Sequence, residues 1–409
     1  MFNNGTWNKN STLKDFRAKI TIRHSPMLLT IIAFLIILSV LVVVHEFGHF
    51  VSAKYFGVRV LEFGIGFPPR ASLLHTSKDG VKWTLNWLPI GGFVNLKGQD
   101  GESKDHPDSF SHQAPWKRMV ILVSGVFMNL ILALVLFSVG YIVGFPRDLT
   151  DTKIPEKFIK EKYISILYVE PKGPAGRAGI KAGDSIITVN ETPFSELEKL
   201  QSFISDKEGK PVLIQLRRGK EIFTKDLTPE LVTFHIGNEA GDTESETKKI
   251  GVGVALGSVG IIRYPMHIAL YKSAETIATT SGKIVTGFFH LIQDLVLTRS
   301  VSTNIGGPVM IAALSGRAAE LGFIYIIQFV ALLSLNLAII NILPLPALDG
   351  GRVLFVIIEK FKGKSVSINT ETWVHLIGFW LLIFLTILVT ARDLMRFEIL
   401  EKVKGIFTS

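Results

Sequence analysis

The sequence predicts a polytopic α-helical membrane protein with four transmembrane helices, a membrane-associated β-hairpin insertion and one α+β domain. The 409-residue chain is 48% hydrophobic, and its mean hydropathy of +0.38 is well above the usual value for soluble globular proteins. Four apolar runs are each near or above the length that crosses a bilayer. Two polar segments between them alternate apolar and polar residues between Gly and Pro, which indicates strands and turns.

The predicted transmembrane helices lie at about 27–49, 118–145, 323–345 and 373–391. We expect the first to be retained, because no small-residue cleavage site of a signal peptide follows it. The net charge of +9 is spread along the loops. This distribution fits positions that flank a membrane and does not indicate nucleic-acid binding.

The loop between the first two apolar runs predicts the hairpin insertion. Its short alternating runs, at 60–67, 81–87 and 91–98, indicate strands, and Pro-Ile-Gly-Gly at 89–92 indicates a tight turn. Such strands could hold an extended substrate by adding it to a sheet edge, since a helical substrate must unwind before its peptide bonds can be attacked. We name 60–67 and 91–98 as candidate edges; a scaffold hairpin that covers the site is the alternative.

The long segment between the second and third runs predicts the soluble part of the protein. Residues 160–232 combine strand-like runs, one short helix and a hairpin, and the acidic stretch 238–249 indicates a linker. Residues 264–299 carry apolar residues at helical spacing, which predicts helices on the membrane surface or on the bundle; an amphipathic helix of the soluble domain is the alternative. The predicted division of the chain is a tail (1–26), helices 1 and 2 with the hairpin loop (27–150), the α+β domain (155–235), the linker and amphipathic helices (236–322), and helices 3 and 4 (323–409).

The first apolar run ends in His45-Glu46-Phe47-Gly48-His49. Residues four apart share one face of a helix, so His45 and His49 can bind one metal ion while Glu46 lies beside it. H-E-x-x-H is the pattern of zinc metalloproteases, in which the histidines are ligands and the glutamate is the general base. Chance matches to this pattern occur, and a histidine pair in the headgroup region is the alternative.

A second polar group interrupts the end of the third run, in NLAIINILPLPALDGGR (336–352). Pro344 and Pro346 break the helix, which is tolerated at membrane depth only inside the protein or along a cavity. Asp349 would supply the carboxylate that a three-ligand zinc site still lacks. Taken alone, Asp349 could instead form a turn at the membrane interface.

The two motifs in this order resemble the site-2 protease family of intramembrane zinc metalloproteases, in its bacterial regulator-of-sigma-E branch. FGIGF (63–67) and LPIGGFVNLKG (88–98) are similar to the membrane-associated β segments of that branch. GGPVMIA (306–312) is similar to its Gly-Pro segment before the third helix. EPKGPAGRAGIKAGDSIITVNET (170–192) resembles the core of a PDZ domain, so the α+β domain is expected to be PDZ-like.

The resemblance implies zinc held by His45, His49 and Asp349, with Glu46 as the general base and Asn341 near the substrate backbone or the oxyanion. It implies cleavage of single-span transmembrane proteins, such as anti-sigma factors, or of remnant signal peptides, in the lipid bilayer of the bacterial inner membrane. An upstream site-1 protease would act first, and the PDZ-like domain would select substrates by size. This chain carries one such domain where the branch often has two, and no Gly-rich carboxylate-binding loop precedes Ile164.

The basic residues predict the orientation in the membrane. The loop 51–118 holds nine Lys and Arg residues against five in the N-terminal tail, and the loop between the third and fourth runs adds four. The positive-inside rule then puts both loops in the cytoplasm, and the termini and the PDZ-like domain outside. The two halves of the predicted site would meet on the cytoplasmic side.

Two other functions are consistent with parts of the sequence. One is a membrane-anchored zincin that acts on non-membrane substrates, and the other is a metal-binding PDZ scaffold or transporter without hydrolysis. The position of Asp349 disfavours the first, and an intact Glu46 disfavours the second. The chain has no cysteine, which excludes disulfides, thiolate ligands and a cysteine nucleophile, and it has no G-x-S-x-G motif. Ala-Gly-Asp occurs at 182–184, in the PDZ-like region, and at 240–242, in the acidic stretch.

Overall fold

The structure is a computed structural model that describes residues 26–99, 105–149, 154–219, 221–236, 245–297, 306–363 and 366–396. The predicted tail up to residue 25 and residues 237–244 of the predicted acidic linker lie outside this range. The helices are α1 (Pro26–Tyr55), α2 (Pro115–Val143), α3 (Pro174–Arg177), α4 (Leu197–Ser205), α5 (Met266–Leu297), α6 (Pro308–Leu321), α7 (Phe323–Ile342), α8 (Asp349–Lys362) and α9 (Ile368–Arg396). The strands are β1 (Val60–Thr76), β2 (Lys82–Leu96), β3 (Phe145–Asp148), β4 (Ile159–Val169), β5 (Ser185–Val189), β6 (Thr192–Pro193), β7 (Val212–Arg218), β8 (Glu221–Leu227), β9 (Glu230–Ile236), β10 (Ser245–Gly251) and β11 (Val254–Ile262).

The four predicted apolar helices are confirmed. Among the described residues, four helices are long and apolar enough to cross a membrane, at Met27–Tyr55, Pro115–Val143, Phe323–Ile342 and Asn369–Met395. The third ends three residues earlier than its apolar run, because Pro344 and Pro346 cannot continue a helix. These helices belong to α1, α2, α7 and α9. Helix α1 packs against α2, α6 and β2, while α2 also packs against α5, α7 and α8.

The hairpin loop folds into the two long strands β1 and β2. Each strand bends, so that its two halves pair separately and the sheet has four short strand segments. Residues 60–65 pair with 92–96 on one side and with 82–85 on the other, and the second half of β1 pairs with 82–86. The order across this small sheet is therefore 92–96, 60–65, 82–86 and 70–76. Segment 92–96 is an edge, whereas 60–65 is interior and cannot accept a further strand. The candidate edge at 60–67 is thus wrong for residues 60–65.

A second, seven-stranded sheet forms the soluble body. Its strand order is β3-β11-β4-β5-β7-β8, with β6 paired to β5. Helices α3 and α4 cover one apolar core with this sheet, in which Leu200 and Leu216 are fully buried. The sheet includes β3 and β11, which lie outside the predicted boundaries 155–235. Two chain segments that are distant in sequence therefore complete it.

In the segment predicted at 264–299, residues 266–297 form the single long helix α5 rather than several helices. It packs against α2 and α7 and so belongs to the helical bundle. Its polar residues meet those of α2: Ser138 Oγ donates to Ser273 Oγ at 3.1 Å, and the hydroxyls of Tyr141 and Thr276 lie 2.9 Å apart. These contacts favour the bundle-packing interpretation of this segment.

The break after α7 turns the chain sharply before α8 begins. Ala347 has a φ of +71°, and its N–H donates to Nδ1 of His375 on α9 at 2.9 Å. A Cβ at Gly350 would collide with the carbonyl of Leu343, so only glycine lets the first turn of α8 pack onto the break. The result is that Asp349 begins α8 at the point where the broken helix returns to α1.

An ion pair fastens α8 to α2. Arg118 Nη2 lies 2.7 Å from Glu359 Oε1, and the two side chains are only 14% and 22% exposed. Removing Glu359 would leave a largely buried guanidinium without a counter-charge. An exposed ion pair contributes much less, because water already solvates both groups.

We expect Glu359→Ala to lower the free energy of unfolding by about 3 kcal/mol, since breaking a buried pair leaves an uncompensated charge. Thermal unfolding of the purified protein in detergent measures this as a lower Tm. The control is Glu196→Ala, which removes an exposed pair with Lys199 and should cost below about 1 kcal/mol. Equal effects of the two variants would contradict the assignment.

Candidate metal centre

The two histidines and Asp349 converge on one point. His45 Nε2 lies 2.9 Å from Asp349 Oδ2, His49 Nε2 lies 3.4 Å from the same oxygen, and the two Nε2 atoms are 3.2 Å apart. Both histidines are buried and Asp349 is half-buried. The three residues come from two elements, the last third of α1 and the first position of α8. The sequence-predicted group is thus brought together by the chain reversal after α7.

Helix α2 orients both imidazoles from one face. His49 Nδ1–H donates to the backbone carbonyl of Ile121 at 2.8 Å, and His45 Nδ1 lies 3.3 Å from the side-chain amide of Asn129. Between them, a Cβ on Gly125 would lie only 2.5 Å from His49 Nε2 and 2.8 Å from His45 Nε2. Gly125 therefore leaves the space that the two rings occupy. These three residues are spaced four apart on α2: Ile121 supplies a hydrogen-bond acceptor, Gly125 leaves space for the rings, and Asn129 supplies a polar side chain.

The charge of Asp349 follows from its neighbours. Burial disfavours the ionised carboxyl, but hydrogen bonds and charge from His45 and His49 outweigh burial and hold the pKa of Asp349 well below its ordinary value. Asp349 is therefore a carboxylate, which is the form that can act as a metal ligand.

Glu46 lies beside the group, on the wall of a small cavity. Its Oε2 accepts the backbone N–H of Val94 at 3.1 Å, so the edge segment 92–96 lies directly against it. The cavity has a volume of about 210 Å³, and Glu46, His49, Val94, Asp349 and Arg352 are among its lining residues. Water and an extended peptide segment can therefore approach Glu46 and Asp349 from one space.

The donor set fits zinc. Within the part of the chain that the structure describes, His45, His49 and Asp349 are the group that could hold a metal ion, and their ligand atoms all lie within 4.8 Å of one another. Two imidazole nitrogens and one carboxylate oxygen are the ligands of catalytic zinc sites, which keep a fourth position for water or substrate. The hydrogen bond from His49 Nδ1 supports this use, because it leaves Nε2 free for a metal.

Asn341 does not line the 210 Å³ cavity beside this group. It lies half-buried in the last turn of α7. Three contributors were not predicted from sequence: the carbonyl of Ile121, the Asn129 side chain and the N–H of Val94. Two of them are backbone groups with no residue-type signal. Asn129 could have been found as a polar residue inside an apolar run.

The soluble body has a separate groove. It lies between α4 and residues 249–256, has a volume of about 330 Å³, and is bordered by Gly251, Val252 and Gly253 at the start of β11. This Gly-rich turn directly precedes β11, which is the last strand of the sheet in sequence and pairs with β4.

Comparisons with known proteins agree over most of the chain. The model of peptidase family M50 matches residues 33–385. A protein of Clostridium perfringens is 31% identical over 89% of this chain and 98% of its own length. A protein of Mesorhizobium japonicum is 31% identical over 83% of this chain and 91% of its own length. Both are named as candidate zinc metalloproteases. A crystal structure of a PDZ domain from Listeria monocytogenes covers 24% of this chain and 90% of its own length at 19% identity, with a TM-score of 0.19.

We expect the purified protein to contain about one zinc ion per chain, and His45→Ala and Asp349→Ala each to lose it, because two ligands do not complete a catalytic zinc site. Elemental analysis after dialysis against a weak chelator measures the content. The control is His75→Ala, which removes an exposed histidine of β1. Full zinc content in Asp349→Ala would contradict the proposed ligand set.

Proposed function

The chain belongs to peptidase family M50, and on this basis we propose that it hydrolyses peptide bonds within the membrane-spanning segments of other proteins. As a member of this family it is a zinc metalloprotease and an integral membrane protein. The observation that carries the proposal is the position of the ligand group. His45 and His49 lie on an apolar helix, and Asp349 lies where a second apolar helix is broken, so the reaction would take place among membrane-spanning helices.

In the proposed mechanism His45, His49 and Asp349 hold the zinc ion. When bound, zinc acts as a Lewis acid and lowers the pKa of water to about 7. Glu46 accepts the proton of the attacking water and delivers it to the nitrogen of the leaving amine. The N–H of Val94 holds the Glu46 carboxylate at the wall of the cavity while this proton is transferred.

Asn341 is proposed to contact the substrate backbone or the developing oxyanion. Its amide is a donor and an acceptor, and it lies one residue before the end of α7, next to the broken segment that carries Asp349. An oxyanion donor of this kind contributes roughly 3 kcal/mol to transition-state stabilisation.

The substrate is proposed to bind as a strand along residues 92–96. Strand addition satisfies the backbone of an unwound transmembrane segment, which would otherwise have unpaired N–H and C=O groups in an apolar environment. Three facts support this edge. It is unpaired on one side among the described residues, it lines the cavity through Val94 and Leu96, and the N–H of Val94 points at Glu46. The peptide and the general base would therefore meet at one place.

The proposed substrates are single-span membrane proteins, such as anti-sigma factors, and remnant signal peptides, in the inner membrane of a bacterium. An upstream site-1 protease would first remove the bulky external part of the substrate. The soluble body would lie on the extracytoplasmic side with both termini, as the distribution of Lys and Arg indicates. Its groove between α4 and β11 would admit the new extended C-terminus, because backbone N–H groups of a Gly-rich turn can bind a carboxylate.

We expect Glu46→Gln to abolish cleavage of a tagged single-span substrate in detergent while zinc content stays at the wild-type level. Glutamine preserves the shape of the side chain but cannot accept the proton. A strong zinc chelator should likewise stop the wild-type enzyme, and added zinc should restore it. Normal turnover by Glu46→Gln would overturn the role of Glu46.

We expect Val94→Pro to reduce cleavage by about 5- to 13-fold, because a lost main-chain hydrogen bond costs about 1 to 1.5 kcal/mol and proline cannot donate one. The matched control is Val94→Ala, which shortens the side chain and keeps the N–H. The ratio of the two rates, at equal zinc content, isolates the contribution of the backbone donor. Equal rates for the two variants would contradict the proposed roles of this edge, in holding Glu46 and in strand addition.

A further inference from the structure

Asn129 is the most completely buried polar side chain next to the metal centre, and the mechanism above does not use it. It is 0% exposed and lies in the middle of α2. Its Nδ2 lies 3.3 Å from His45 Nδ1, and its Oδ1 is buried without a hydrogen-bond partner among the described residues. An amide oxygen that is buried without a partner destabilises the folded protein, so this residue type at this position calls for a functional explanation.

The orientation of the His45 ring determines whether Asn129 must donate or accept the hydrogen bond between them. Its Nε2 points at Asp349 and at the Nε2 of His49, which makes Nε2 the atom that would bind the metal. A neutral imidazole that binds a metal through Nε2 carries its proton on Nδ1. The group 3.3 Å from that Nδ1 must then accept a hydrogen bond, and the amide oxygen is the only acceptor on the Asn129 side chain.

We propose that Asn129 is a positioning residue that fixes the metal-binding tautomer of His45 by accepting its Nδ1–H through Oδ1. This inference deepens the proposed function and rests on it. The oxygen and nitrogen of an asparagine amide exchange places by a half-turn of the side-chain amide. That half-turn brings Oδ1 from its unpaired position to the one facing His45.

The backbone of Asn129 is held independently of its side chain. Ser334 Oγ on α7 donates to the Asn129 carbonyl at 2.8 Å. The same face of α2 also orients His49, since the Ile121 carbonyl accepts the Nδ1–H of that histidine. For His49 the acceptor is a backbone oxygen, whereas His45 Nδ1 faces the side-chain amide of Asn129. A side-chain acceptor would therefore serve the same purpose there.

The experiment compares zinc affinity in Asn129→Leu and Asn129→Asp, measured on the full-length protein in detergent by competition with a chromophoric zinc chelator. Leucine has a similar volume and no acceptor, so we expect affinity to fall by about 10- to 100-fold, the usual effect of losing the outer partner of a ligating histidine. Aspartate accepts the same N–H and should keep wild-type affinity or exceed it. Asn336→Leu, at a half-buried asparagine of α7, is the matched control and should bind zinc normally.

A purely structural role of Asn129 predicts the opposite order. Leucine would then be tolerated, and the buried charge of aspartate would disrupt the site. Wild-type zinc affinity in Asn129→Leu, or loss of zinc in Asn129→Asp, would therefore overturn the proposal. If Asn129→Leu does not fold, as judged by its Tm without metal, Asn129→Ala replaces it and the aspartate result still decides. Failure of the proposed function is a separate outcome, in which the wild-type protein binds zinc with this pattern and cleaves no membrane substrate.

Discussion

The hydrogen-bonded contact of Asp349 with His45 and His49 is the interaction on which the rest of the structure depends. These three side chains lie among apolar helices, where an ionisable group without a partner is strongly destabilising. They satisfy one another only if the end of α1 and the start of α8 meet. The prolines that end α7, the left-handed backbone at Ala347 and the glycines that begin α8 are the local means by which the chain makes that meeting possible.

Helix α2 is the common support of the site. Its inner face orients one histidine through the carbonyl of Ile121, makes room for both rings at Gly125, and places Asn129 against the other. Near its N-terminus it also holds α8 through the pair Arg118–Glu359. The small sheet completes the site from the opposite side, since Val94 contacts Glu46. Helix packing thus fixes the positions of the metal-binding side chains, and the edge of the small sheet borders the cavity beside Glu46.

The long helices and the ligand residues could be predicted from the sequence. The strand order and the backbone contacts could not, for physical reasons. Four apolar runs give four long helices because apolar length is a strong, local signal, and His45, His49 and Asp349 carry recognisable spacing and context. Pairing of residues 60–65 on both sides could not be predicted, because strand order depends on contacts distant in sequence. The contribution of Ile121 was hidden because backbone groups have no residue-type signature. The Gly-rich turn beside the groove was not predicted, since it precedes the strand that completes the sheet last in sequence.

The central claim is that the zinc site acts on peptide bonds inside a membrane-spanning segment. The most direct test is to reconstitute the enzyme with a single-span substrate in lipid vesicles and to map the new termini by mass spectrometry. The account predicts one cleavage position within the apolar segment of the substrate, absent when the zinc ion is removed. Cleavage confined to the polar flanks outside that segment would contradict it and would favour a membrane-anchored protease of non-membrane substrates.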